Sequence, residues 1–77
     1  MRVYFTAKQF KEVSSLQEAS AACREFIESN GFGSSDLTAR FGIIKDGSKT
    51  IATVSYNGRV WSPQPWAVGS QPIYDPI

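Results

Sequence analysis

The chain has 77 residues, 42% of them apolar, with five phenylalanines, three tyrosines, two tryptophans, one cysteine and no histidine, and its formal net charge is +1. That length suits one domain, close to the lower limit at which a core holds without staples, and the apolar content argues against disorder. A lone cysteine excludes an internal disulfide framework. The lack of histidine excludes the usual zinc ligand sets and the serine–histidine and cysteine–histidine nucleophilic schemes, and the balanced charge excludes the broad basic field of many nucleic-acid binders.

Arg2 to Thr6 (RVYFT) is β-branched and aromatic and predicts a first strand. Val3 and Phe5 share one face of it, Arg2 and Tyr4 the other. The opening MRVYFTAKQF has no apolar run of signal-peptide length, and no stretch approaches the about 20 apolar residues of a membrane span, so a cytoplasmic chain that does not cross a membrane is expected. Ala7 to Ser14 shows no sustained period and reads as a connection anchored by Phe10.

A helix follows. Ser15-Leu16-Gln17-Glu18 is a capping-box pattern: the serine hydroxyl takes the Glu18 amide, and the Glu18 carboxylate reaches back to the Ser15 amide. Leu16, Ala19, Cys23, Phe26 and Ile27 then recur at helical spacing, with Gln17, Arg24, Glu25 and Glu28 elsewhere on the wheel. Asn30-Gly31-Phe32 closes the helix, Gly31 suiting the left-handed position and Phe32 meeting Ile27 in a Schellman motif.

Thr38 to Trp61 reads as a three-stranded antiparallel meander turned at Asp46-Gly47 and Asn57-Gly58, both dipeptides that tolerate positive φ. With a two- or four-residue first loop and a two-residue second loop, one face holds Ala39, Phe41, Ile43, Ala52, Val54, Tyr56 and Trp61. That face is assigned to the helix, and the ten aromatics are expected to supply much of the core. The opposite face holds Thr38, Arg40, Gly42, Ile44, Ile51, Thr53, Ser55 and Val60. All four prolines (Pro63, Pro65, Pro72, Pro76) fall in the last sixteen residues, which predicts an extended arm carrying Trp66, Val68, Ile73 and Tyr74. The resulting fold is α+β in the order β-α-β-β-β, with one helix on one face of a small, mostly antiparallel sheet. Residues 1–61 form the domain and 62–77 the Pro-rich C-terminal arm.

No motif carries chemistry. Cys23 sits on the apolar helix stripe and reads as a structural thiol. Glu25 and Glu28 are neighbours on the polar helix surface, where Arg24 and Glu28 form an i,i+4 pair. Gly31-Phe32-Gly33 follows a helix and lacks the third glycine of a dinucleotide fingerprint. Pro63-Gln64-Pro65-Trp66 lacks the spacing of a polyproline docking segment. The expectation is therefore a non-enzymatic interaction or regulatory module with no cofactor and no metal. It would self-associate, as a homodimer, or bind another protein, through Ile44, Ile51, Val60, Trp66, Ile73 and Tyr74, the residues of the outer sheet face and the arm. The alternative is nucleic-acid binding by the basic turns of the meander, through Arg40, Lys45, Lys49 and Arg59. Placing Tyr56 and Trp61 under the helix counts against that alternative, since it withdraws both rings from stacking.

Overall fold

The computed structural model describes residues 1–63 and 69–76. It is an α+β fold: one helix, α1 (Leu16–Asn30), lies across one face of a five-stranded antiparallel sheet. The strands are β1 (Arg2–Tyr4), β2 (Phe10–Glu12), β3 (Ile43–Asp46), β4 (Lys49–Val54) and β5 (Val60–Trp61), in the spatial order β2-β1-β3-β4-β5. A short 3₁₀ turn spans Ser34–Asp36. Among the described residues no helix is long and apolar enough to cross a membrane.

The expected connection at residues 7–14 is instead the second strand of a hairpin. Tyr4 pairs with Phe10 and Arg2 with Glu12. The loop is held by Thr6, whose Oγ1 accepts from the amides of Lys8 (3.3 Å) and Gln9 (3.0 Å). This threonine turn carries no Gly or Pro, so the usual hairpin punctuation is missing from the sequence. Phe10, expected as an anchor, is exposed.

The helix begins and ends where its caps demand. The Ser15 hydroxyl accepts from the Glu18 amide (3.0 Å). The Glu18 carboxylate reaches back one residue further than expected, accepting from the Ser14 hydroxyl (2.7 Å) and amide (3.4 Å). At the other end the Gly31 amide donates to the Glu28 carbonyl and the Phe32 amide to the Ile27 carbonyl, the two bonds of a Schellman cap.

The core is made of small side chains. Val3, Val13, Ala19, Ala22, Cys23, Ile44, Ala52, Val54 and Val60 are its buried members. Contrary to the expectation from composition, none of its fully buried side chains is aromatic. Alanines, Cys23 and Ser20 on the inner side of α1 let the helix lie close to the sheet, and the rings form a border. Phe26 is the centre of that border, stacked on Phe5 at 4.6 Å and meeting Phe32 and Phe41 at 5.7 and 6.2 Å. The Ser20 hydroxyl, also buried, donates to the Gly58 carbonyl and ties α1 to the β4–β5 loop.

Two single-residue shifts reverse part of the expected face assignment. Asp46 pairs with Lys49 across Gly47 and Ser48, as a two-residue loop requires, but the register shifts between Lys45–Thr50 and Ile44–Ala52. Ile51 is the extra residue, and beyond this bulge Ile44, not Ile43, shares a face with Ala52. At the next turn the Ser55 amide donates to the Arg59 carbonyl and the Gly58 amide to the Ser55 carbonyl. The loop is therefore Tyr56-Asn57-Gly58, three residues rather than two. Val60 pairs with Val54 and Trp61 with Thr53, which buries Val60 and turns Trp61 away from the helix.

The long strand expected from Thr38 starts only at Ile43. Residues 38–41 make a turn, Phe41 N–H to the Thr38 carbonyl, and leave Ala39 and Arg40 exposed. Gly42 then threads between strands: its amide donates to the Tyr4 carbonyl (2.7 Å) and its carbonyl accepts from the Val54 amide (2.8 Å). It has φ +81°, and a Cβ there would lie 2.1 Å from the Val54 carbonyl oxygen, a position only glycine can occupy.

Part of the C-terminal arm returns to the sheet. The Val60 amide donates to the Tyr74 carbonyl, the Ile73 amide donates to the Val60 carbonyl, and Tyr74 packs against the core. Trp66 lies outside the described residues.

Candidate functional site

Strand pairing places one row of side chains straight across all five strands on the face away from α1. Phe10 pairs with Tyr4, Tyr4 with Ile43, Ile43 with Thr53, and Thr53 with Trp61. The row is Phe10, Tyr4, Ile43, Thr53, Trp61, and at the usual strand spacing it is about 19 Å long. Beside it runs a second row: Glu12, Arg2, Lys45 and Thr50. Directly paired side chains on one face stand close enough to interact, so this face carries an aromatic strip with a charged strip alongside. Among the described residues, no helix packs on it.

The two strips touch. The Tyr4 and Phe10 rings are 5.4 Å apart and tilted by 46°. The Arg2 guanidinium lies 4.3 Å from the centre of the Phe10 ring while its Nε donates to the Glu12 carboxylate at 2.6 Å. The Lys45 ammonium stands 5.9 Å from the Tyr4 ring centre. The Trp61 indole N–H donates to the Ser55 hydroxyl at 3.2 Å, which fixes the ring at the far end of the row.

A depression of 160 Å³ opens beside Tyr4, lined by Tyr4, Thr6, Ala7, Arg40, Ile43 and Lys45. Its lining holds two cations and no carboxylate. Among the described residues, no ion pair joins Arg40 or Lys45 to an acidic group. Arg2, by contrast, is paired with Glu12, and that partnership raises its already high pKa further.

The interface residues expected from sequence scatter. Ile44 and Val60 are fully buried in the core, so neither lies on an outer face, as a direct result of the bulge and the three-residue loop. Ile51 is the bulged residue and packs partly against the core. Ile73 is 53% exposed and Tyr74 is half-buried at the β5 edge. The basic residues fare differently. Arg40 and Lys45 come together at the depression, whereas Lys49 sits exposed at the start of β4. Arg59 lies 3.2 Å from the Asp75 carboxylate, an ion pair without hydrogen-bond alignment.

Tyr4 and Phe10 were missed as site residues. Alternation in Arg2-Val3-Tyr4 puts Arg2 and Tyr4 on one side, but nothing in the sequence marks the hairpin that sets Phe10 next to them. Tyr56, expected under the helix, is 45% exposed in the β4–β5 loop.

Other groups offer little chemistry. Burial pushes the Cys23 thiol up to about 12, so at neutral pH it is not a thiolate. Among the described residues, no three acidic or cysteine side chains converge to hold a metal ion. Comparison with protein-family models, with curated proteins and with solved structures finds no match to this chain.

Proposed function

We propose that this chain is a small non-enzymatic binding module, working in the cytoplasm, whose contact surface is the open face of the sheet. The supporting observation is the transverse row. Three of its five members are aromatic, each on a different strand, and they stand on the face that α1 does not cover. Rings contribute most to a fold when buried. Here Phe10 is exposed and Tyr4 and Trp61 are half-buried on that face while small side chains fill the core, an arrangement that suits contact with another molecule.

The test is to replace Tyr4 and Phe10 together with serine and to measure urea unfolding. Cross-strand pairs contribute about 0.2–1 kcal/mol each, so a recognition surface should lose about 2 kcal/mol or less. A loss of several kcal/mol, as for a core truncation, would show that the row serves the fold instead. Sedimentation over a wide concentration range then asks whether the occupant is a second copy. A monomer–dimer equilibrium that disappears in the same variant would establish the expected self-association.

A further inference from the structure

We infer that the occupant of the open sheet face is single-stranded nucleic acid, its bases stacked on Phe10, Tyr4 and Trp61 and its phosphates held by Arg40 and Lys45. This inference rests on the binding-face reading above and names its ligand.

Aromatic rings on a pleated surface at successive strand positions are a stacking platform, and stacking tolerates any base because every base has a π-face. The row supplies rings at both ends and at its second position, with Ile43 and Thr53 between. The Arg2 guanidinium lies over the Phe10 ring, 4.3 Å from its centre, so a base at that end of the row meets the guanidinium plane backed by the ring, and guanidinium planes also stack on bases.

The charge pattern fits a polyanion lying along the row. Arg40 and Lys45 line the depression next to Tyr4 with no acidic residue in its lining, so the backbone of a strand stacked on Tyr4 would pass two cations there, and the carboxylate of the adjoining row, Glu12, is paired with Arg2. A second copy fits less well. An isologous contact centred on the depression would set Arg40 and Lys45 against their own copies, with like charges opposed. An acidic peptide would use the cations but leave the rings without stacking partners. Duplex nucleic acid hides its bases from a flat sheet.

The number of cations sets the expected strength. Single strands lose affinity with a log–log salt slope of about −0.7 per phosphate neutralised, so two or three contacts give a fall of about 25- to 125-fold for each tenfold rise in salt. Binding is therefore expected at low salt and should weaken steeply as salt is added.

The experiment is fluorescence anisotropy of labelled oligothymidylate and oligoadenylate with the full chain at low salt. A matched duplex, polyglutamate and anionic vesicles serve as comparison ligands. The expected result is binding to both single strands, weaker binding to the other three, and the salt dependence above. Tyr4→Ala should weaken single-strand binding about 5- to 150-fold, the range for one lost stacking contact. Arg40→Ala with Lys45→Ala should flatten the salt slope by about 1.4. Both of these cations lie at the surface, so this pair tests the proposal even if Tyr4→Ala fails to fold.

The inference is overturned by no single-strand binding at low salt, by equal binding of polyglutamate, vesicles or duplex, or by an unchanged salt slope in the Arg40/Lys45 variant. If the strands do not bind while a dimer forms and is dispersed by the serine variant, the inference fails and the binding face stands. If the serine variant loses several kcal/mol of stability, the binding face itself fails.

Discussion

The two faces of the sheet use different side chains for different ends. Toward α1 they are short: Val3, Ala52, Val54 and Val60, with Ile44 the largest, meeting Ala19, Ala22 and Cys23 of the helix. Away from α1 they are rings and long charged chains, Phe10, Tyr4, Trp61, Arg2 and Lys45. Small side chains on both partners permit close approach and dense packing in a core that has few residues to spend. Large side chains on a face that no helix covers among the described residues gain less from burial than they would in the core. The difference teaches that in a domain this small, aromatic content measures the surface as much as the core.

The sharpest way to break the contrast is at Gly42, which holds β1, β3 and β4 in register. Gly42→Ala should cost at least about 3 kcal/mol, from positive φ and a backbone collision together, and urea unfolding would show much of the molecule's stability gone. A mild effect would mean that the strands can part there without losing the sheet. Next in size is a paired truncation across the two faces. Ile44→Ala should cost about 2–5 kcal/mol, while its neighbour Ile43→Ala should cost about 1 kcal/mol or less. Equal losses would contradict the bulge that separates them.

The smallest expected effect lies at the start of α1. Two hydrogen bonds from Ser14 hold the Glu18 carboxyl below its ordinary pKa of 4.5. A carboxyl depressed on folding adds stability that is present above its unfolded pKa and is lost as pH falls through the folded one. Stability should therefore decline more steeply below pH 4.5 in the native chain than in Glu18→Gln, as chemical denaturation at successive acid pH values would read.

The helix was legible to the residue because its signals are local. Ser15, Glu18 and Gly31 act within one turn of where they stand. Fold class and the one-sided placement of α1 followed from the same patterning. The sheet faces were half legible. The alternation puts Ala52 and Val54 toward the helix, where they lie, but it puts Ile43 and Trp61 there too, and these point away. The errors have one physical cause. Strand sidedness has a period of two, so an extra residue at Ile51 and a third loop residue before Arg59 each invert everything beyond them. Neither leaves a mark in composition. Asn57-Gly58 suits a two-residue turn, and only the bond from the Ser55 amide to Arg59 selects the longer one. The candidate site suffered most. Arg40 and Lys45 were named, but their aromatic companions depend on a hairpin closed by Thr6, whose turn chemistry has no glycine or proline to announce it.

The pairing of Tyr74 with Val60 has a consequence for assembly. It places a segment of the arm outside β5, so of the two sheet edges among the described residues, β2 is the open one, with Phe10, Lys11 and Glu12 all exposed. Copies joining edge to edge would meet β2 against β2, a symmetric contact that is complete at two chains and offers no strand to a third. A symmetric meeting centred on Lys11 would also bring two ammonium groups together.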